Sequence, residues 1–208
     1  MQRYASYWKK RVELFGETKA FEELVLDQAL RDDTAALEMG FMRYTGITDT
    51  SGRPVLFVDP SRQDKTKYTK ESMVRSIWYM VHSILQEDVK AQQHGVIMLA
   101  FPKHAAQAQA DRNQIKMNLA SIQGALPVRI SAIHICHPPT FFAILFPIIK
   151  LFIGARLRKR IRVHSGSDQH VNQTLRNDFG LEDVPEDLGG TVQLDHLAWL
   201  KERRAAGK

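Results

Sequence analysis

The sequence contains a single cysteine, Cys136, in 208 residues. An internal disulfide and a multi-cysteine metal cluster are thereby excluded, which fits a reducing compartment. Acidic residues are missing from one long interval. Between Asp111 and Asp168 there is none, while nine bases lie there: Arg112, Lys116, Arg129, Lys150, Arg156, Arg158, Lys159, Arg160 and Arg162. The formal charge of the whole chain is +6, so the remainder is net acidic and the positive field is regional. A regional field points to an anionic partner, whether nucleic acid, a membrane surface or a phosphorylated small ligand. Met1–Lys10 is aromatic and basic with no apolar core behind it, so no signal peptide is visible. There is no internal repeat, no Gly-rich phosphate loop, no carboxylate pair and no triad spacing, so the expectation is a protein that is not an enzyme and uses no metal or cofactor. The basic run lacks interleaved aromatic residues, which argues against nucleic acid.

What is present describes a folded α/β chain, 44% hydrophobic and 25% charged. Residues 4–16 read as an amphipathic helix with Trp8, Val12 and Phe15 on one side and Gly16 as its stop. Phe21, Leu24 and Val25 suggest a second helix, and "DDTAALEMG" a third, with an Asp N-cap and Gly40 at its end. Together these form a short N-terminal helical lobe over residues 1–47. In 48–60 the character changes: Asp49–Gly52 is a turn, followed by a buried strand bounded by prolines. Thr69 opens a long helix carrying Met73, Ile77, Met80, Val81, Ile84 and Leu85 at helical spacing, with Trp78 and Tyr79 in the core. Strands are expected at 94–102, 128–136 and 160–165, with a helix at 109–123 and another capped by Ser167. Apolar strands alternating with helices predict a mostly parallel sheet covered by helices, filling residues 48–200.

The segment 137–163, "HPPTFFAILFPIIKLFIGARLRKRIRV", departs from this pattern. As a helix over 139–153 it would be apolar all round, with Phe141, Leu145, Ile148 and Phe152 along one face and Phe142, Phe146, Ile149 and Ile153 along the other. Such a helix is surrounded by protein or by lipid. At about fifteen residues it is too short to span a bilayer, which takes roughly twenty, and Pro147 would bend it. The plain alternative is a core helix. A helix on a sheet needs only one apolar stripe, however, and the adjoining basic run is how proteins attach to anionic membranes.

Four pieces, in order, resemble the CRAL-TRIO lipid-exchange domain family, which includes phosphatidylinositol/phosphatidylcholine and α-tocopherol transfer proteins. They are Leu126-Pro127-Val128-Arg129 leading into "ISAIHICHPP", the apolar "TFFAILFPIIKLFIG", the basic "LRKRIRVHSG", and Val184-Pro185-Glu186-Asp187-Leu188-Gly189-Gly190-Thr191. The likeness covers about residues 48–191, with 1–45 similar to a shortened form of the family's preceding helical lobe. It implies a sheet forming the floor of a hydrophobic cavity, closed by a gate helix at about 139–154. It also implies a lipid ligand (phospholipid, phosphoinositide or isoprenoid-like), no cofactor, and a cytoplasmic protein that associates peripherally with anionic membranes. The sequence departs from the pattern at "LAFPKHA" on the second strand. It also offers only His170 where phosphoinositide-transferring members carry a basic residue after the gate.

On this reading the lipid is contacted by Phe142, Phe146 and Ile149 of the gate and by Ile133 and Ile135 of the third strand. In the opposite strand register Ala132 and His134 would line the cavity instead. Lys150, Arg156, Arg158, Lys159 and Arg160 are expected at headgroup level. His134, Cys136 and His137 lie on alternating strand faces and cannot all converge on a metal, so Cys136 reads as a buried structural thiol. His164 is open between a headgroup contact and a structural role. The alternative function is a membrane- or protein-docking module that holds its apolar helix as permanent core and exchanges no lipid.

Overall fold

The computed structural model describes residues 2–208, without the side chains of residues 2 and 3. In chain order the elements are α1 (Gln2–Lys19), α2 (Thr34–Glu38), β1 (Met42–Thr48), β2 (Pro54–Val58), α3 (Lys70–Glu87), α4 (Val89–His94), β3 (Val96–Ala100), α5 (Arg112–Ile122), β4 (Ile130–Cys136), α6 (Phe142–Phe152), α7 (Ala155–Arg158), β5 (Ile161–His164), α8 (Asp168–Asn177) and α9 (His196–Ala205). The five strands lie side by side in sequence order, β1 antiparallel to β2 and the rest parallel.

That order decides where the helices go. Parallel crossovers are right-handed, and a sheet that winds steadily in one direction puts every crossover helix on the same face. So α3, α5 and α6 share one side of the sheet. The helices that enclose the larger core, α1 and α3 with Tyr7, Leu14, Trp78, Tyr79 and Ile84, are on that side. The other face carries Val55, Phe57, Ile97, Leu99 and Cys136 against Val171 and Leu175 of α8. The sheet therefore divides the molecule into two hydrophobic cores.

Local chemistry fixes the elements. Thr69 and Ser72 form a reciprocal capping box at the start of α3, each side chain bonded to the other's backbone N–H at 3.0 Å. Ser167 caps α8, accepting from His170 N at 3.2 Å. In the loop ahead of α9, Gly189 adopts φ 74° and a Cβ on Gly190 would sit 1.8 Å from Val184 O, so the pair closes the loop by backbone approach.

Two expectations need correction and one holds. Residues 21–30 form successive turns rather than a second helix; Leu24, Leu26 and Leu30 are buried while Phe21 is 68% exposed. Arg11 donates to the Glu22 carbonyl and holds this segment in its turns. The first helix does stop at Gly16, whose φ 78° and ψ 167° are non-helical, and a further short helical stretch then runs on to Lys19. Asp33 precedes α2 but caps nothing with its side chain, because its carboxylate takes a bidentate pair of hydrogen bonds from Arg75, at 2.8 and 2.7 Å. Four elements were not foreseen: the short helices α4 and α7, β1, which pairs at the sheet edge, and α9, whose Arg203 is buried on Tyr79 and Trp199. Among the described residues no helix is long and apolar enough to cross a membrane.

Candidate functional site

Where α5 and α6 stand off the sheet they leave a cavity of about 230 Å³. Its floor is the sheet: Val58, Met98, Ala100, Ile133, Ile135 and Ile161. Its back wall is Ile77 of α3 and Ile115, Asn118, Leu119 and Ile122 of α5. Its lid is α6 with Phe142, Leu145, Phe146 and Ile149, followed by Ile153. Loop residues Pro60, Gln63, Pro102 and Gln109 border one end. Among the described residues no ionisable side chain lines it; the polar ones are the three amides Gln63, Gln109 and Asn118.

The five residues expected at the lipid, Ile133, Ile135, Phe142, Phe146 and Ile149, all border this cavity. A bulge decides the register of β4. Val96 pairs with Ile130 but Ile97 with Ala132, so Ser131 is skipped and the alternation shifts by one. Ile130 and Ile133 then share the cavity side, while Ala132 and His134 pack on the opposite face.

No residue of α6 is fully buried. Its inner face is the stacked pair Phe142 and Phe146, ring centroids 5.0 Å apart, with Ile149 one turn on. Its outer face centres on Ile144 and Leu151, which are 71% and 77% exposed. The outward stripe is thus displaced from the one expected: Phe141 and Leu145 border the cavity as well, and Phe152 and Ile148 are half-buried. Both ends are tied. At the start, His137 adopts φ 53° ahead of Pro138 and Pro139, and its N–H donates to His164 O at 2.9 Å. At the end, the Gln123 amide of the α5 C-cap donates to Phe152 O at 3.0 Å and accepts from Gly154 N at 2.7 Å. Arg158 donates to Lys150 O at 2.9 Å and Ile153 O at 3.0 Å, capping the lid's last turn.

Among the described residues, none of the nine bases between Asp111 and Asp168 is ion-paired, although other bases of the chain are. Several border the lid. Arg112 flanks a shallow groove with Phe141 and Ile144, Lys116 lies 5.7 Å over Phe152, and Lys150 lies 4.4 Å over Phe146. Arg156 and Lys159 are exposed. Arg160 is half-buried and bonds the Ile130 carbonyl, so it braces β4 and β5 as well as carrying charge.

The residues weighed for chemistry lie behind the sheet. Cys136 is fully buried, and burial pushes its thiol up to about 12. His134 Nδ1 and His164 Nε2 are 2.9 Å apart, with Phe179 edge-on to both rings. Burial lowers both histidines, His134 to about 4, so the pair is neutral and structural. Among the described residues no group of His, Cys, Asp or Glu could hold a metal ion.

An apolar cavity on a one-way-wound sheet, under an apolar helix, is the arrangement that the family resemblance implied. The CRAL/TRIO domain matches residues 37–190. The chain belongs to the CRAL/TRIO family. It is 29% identical over 175 residues to the alpha-tocopherol transfer protein-like protein of Mus musculus, covering 82% of this chain and 49% of that one. It is 24% identical over 195 residues to Clavesin-2 of Mus musculus, covering 92% and 56%. The crystal structure of Sfh5 superposes with a TM-score of 0.60 at 16% identity, over 86% of this chain and 61% of that one, a likeness of fold. The CRAL/TRIO chain thus spans about half the length of the curated relatives it matches.

Sequence reasoning missed the three amides and the loop end of the cavity. A signal existed for one of them: Asn118 falls between Ile115 and Ile122 on the same stripe of α5.

Proposed function

We propose that the chain carries one lipid in this cavity and exchanges it at anionic membranes, with α6 as the gate and no chemical transformation. The observation that carries the reading is α6 itself: an apolar helix with none of its residues buried, a cavity beneath it and water on its other side. A core helix would fill that space. A lipid gains roughly 0.8 kcal/mol for each CH₂ it buries, so a carrier must present a largely apolar cavity to compete with a bilayer. The inner face of α6 covers the ligand when shut, and the outer face enters the membrane when the gate swings. The unpaired bases around it sit at headgroup level, where each contributes roughly 1 kcal/mol. The name of the α-tocopherol transfer protein-like relative is in keeping with such a role.

The test is native mass spectrometry of gently purified protein, with the bound lipid identified after extraction, and transfer between donor and acceptor liposomes. The expected result is one lipid per chain and transfer that falls sharply in Phe142→Asp and Phe146→Asp. An empty chain that still binds anionic liposomes would instead make it a docking module.

A further inference from the structure

The polar groups in the cavity define what it takes. Gln109 is internally satisfied, its Nε2 donating to Ser61 O and Gln63 O and its Oε1 accepting from Ala106 N at 2.8 Å, so it ties the rim loops together. Asn118 is different. Gln114, one turn earlier on α5 and 2% exposed, donates from Nε2 to Lys70 O at 3.2 Å and to Asn118 Oδ1 at 2.7 Å. A backbone carbonyl only accepts, so Lys70 O fixes which end of Gln114 is the amine. That in turn fixes Asn118 with its oxygen toward Gln114 and its Nδ2 hydrogens outward. Ile115, Leu119 and Ile122 flank it, all at the cavity wall. Among the described residues no acceptor takes those hydrogens. The same pair leaves Gln114 Oε1 buried without a partner; Gln114 itself does not border the cavity, so on the α5 wall Asn118 alone brings a polar group to the lining.

Resting on the carrier reading above, we infer that the cavity selects an uncharged lipid with a single hydrophobic tail, whose hydroxyl or carbonyl oxygen accepts from Asn118 Nδ2. Two further observations point the same way. The lining has no base to pair with a phosphate or carboxylate, and an ionised group buried without a partner is heavily penalised. The volume, about 230 Å³, lies below the usual range of roughly 300–1,000 Å³ for ligand pockets, which suits one tail better than two. Asn118 is then a specificity-determining residue, and Gln114 the residue that orients it.

The experiment uses three probes: phytol, a branched alcohol; phytane, the hydrocarbon of the same skeleton; and dioleoylphosphatidylcholine. Delipidated full chain is incubated with each, and the retained lipid is quantified by mass spectrometry after gel filtration. The wild-type chain is expected to retain phytol about tenfold better than phytane, the value of one buried hydrogen bond, and to exclude the phospholipid. Asn118→Leu should erase the preference while still retaining phytane. Equal retention of phytol and phytane by the wild type, a comparison that needs no variant, overturns the role of Asn118. So does an undiminished preference in Asn118→Leu. Retention of the phospholipid over phytol overturns the selectivity and leaves lipid carriage standing, whereas retention of none of the three removes the carrier reading itself.

Discussion

Consider replacing both exposed apolar residues of the lid, Ile144→Ser together with Leu151→Ser. Neither side chain packs in the core, being 71% and 77% exposed, and Ser and Ile differ little in helix propensity. Folding stability should therefore change by less than about 0.5 kcal/mol for each. Membrane docking should change far more. Moving such a side chain fully out of water is worth about 1.5–3 kcal/mol. With about three quarters of each exposed, the pair offers about 3 kcal/mol, roughly a hundredfold in partition coefficient. The assay is co-sedimentation with phosphatidylserine-containing vesicles, alongside the rate of lipid transfer between vesicles and a thermal melt. The expected pattern is an unchanged melting temperature, a large loss of vesicle binding and slow transfer. Wild-type binding and transfer by the double variant would refute the idea that this face of α6 meets hydrocarbon.

Reversing Lys150, Arg156 and Lys159 to Glu should weaken binding to anionic vesicles by at least a hundredfold at low salt, at roughly 1 kcal/mol for each lost base. It should leave binding to neutral vesicles untouched, as a salt titration of both would reveal. Gln123→Ala removes both hydrogen bonds that latch the end of the lid. Each is worth about 1 kcal/mol, so hydrogen exchange at Ile153 and Gly154 should quicken with little effect on global stability, and protection equal to wild type would show that the latch is not there. His134 and His82 are buried, and burial lowers both to about 4. An unfolded histidine titrates near 6.5, so the unfolded chain binds protons first. Stability is then full above pH 6.5 and declines as pH falls toward 4. Urea midpoints should drop across that window, less steeply in His134→Gln; a parallel slope in the variant would mean that His134 is not held neutral.

The parts of this fold legible in the sequence share one trait, a run of a single character with clear stops. Strands β2, β3 and β4 are apolar and bounded by Pro or Gly, and α3 repeats its apolar residues at helical spacing behind a Thr cap. The first strand escaped notice because "MRYTGIT" mixes Arg43, Thr45 and a glycine among its apolar residues, so its sequence shows no apolar run although Met42 and Ile47 are buried. The last helix, "HLAWLKERRA", shows too short an apolar stripe, and its place depends on Arg203 reaching Tyr79 and Glu87, contacts more than a hundred positions away. Phe21, Leu24 and Val25 imitate an amphipathic turn, yet nothing caps it. In the lid, uniformity itself hid the answer. When every position from Phe141 to Leu145 is apolar, the sequence cannot say which of them looks outward, and only the sheet beneath decides. Asn118 was overlooked because its importance lies in which way its amide points, a property set by Gln114 and the Lys70 carbonyl.

The two cores on either side of the sheet have a mechanical consequence. On the proposed carrier reading, what moves for a ligand to enter belongs to the front compartment, while Phe57, Leu99, Cys136 and Val171 form the separate rear core. A carrier built this way would loosen its doorway without weakening its foundations. Mutations that tune how often the door swings and mutations that tune how long the protein survives should accordingly fall on opposite sides of one β-layer.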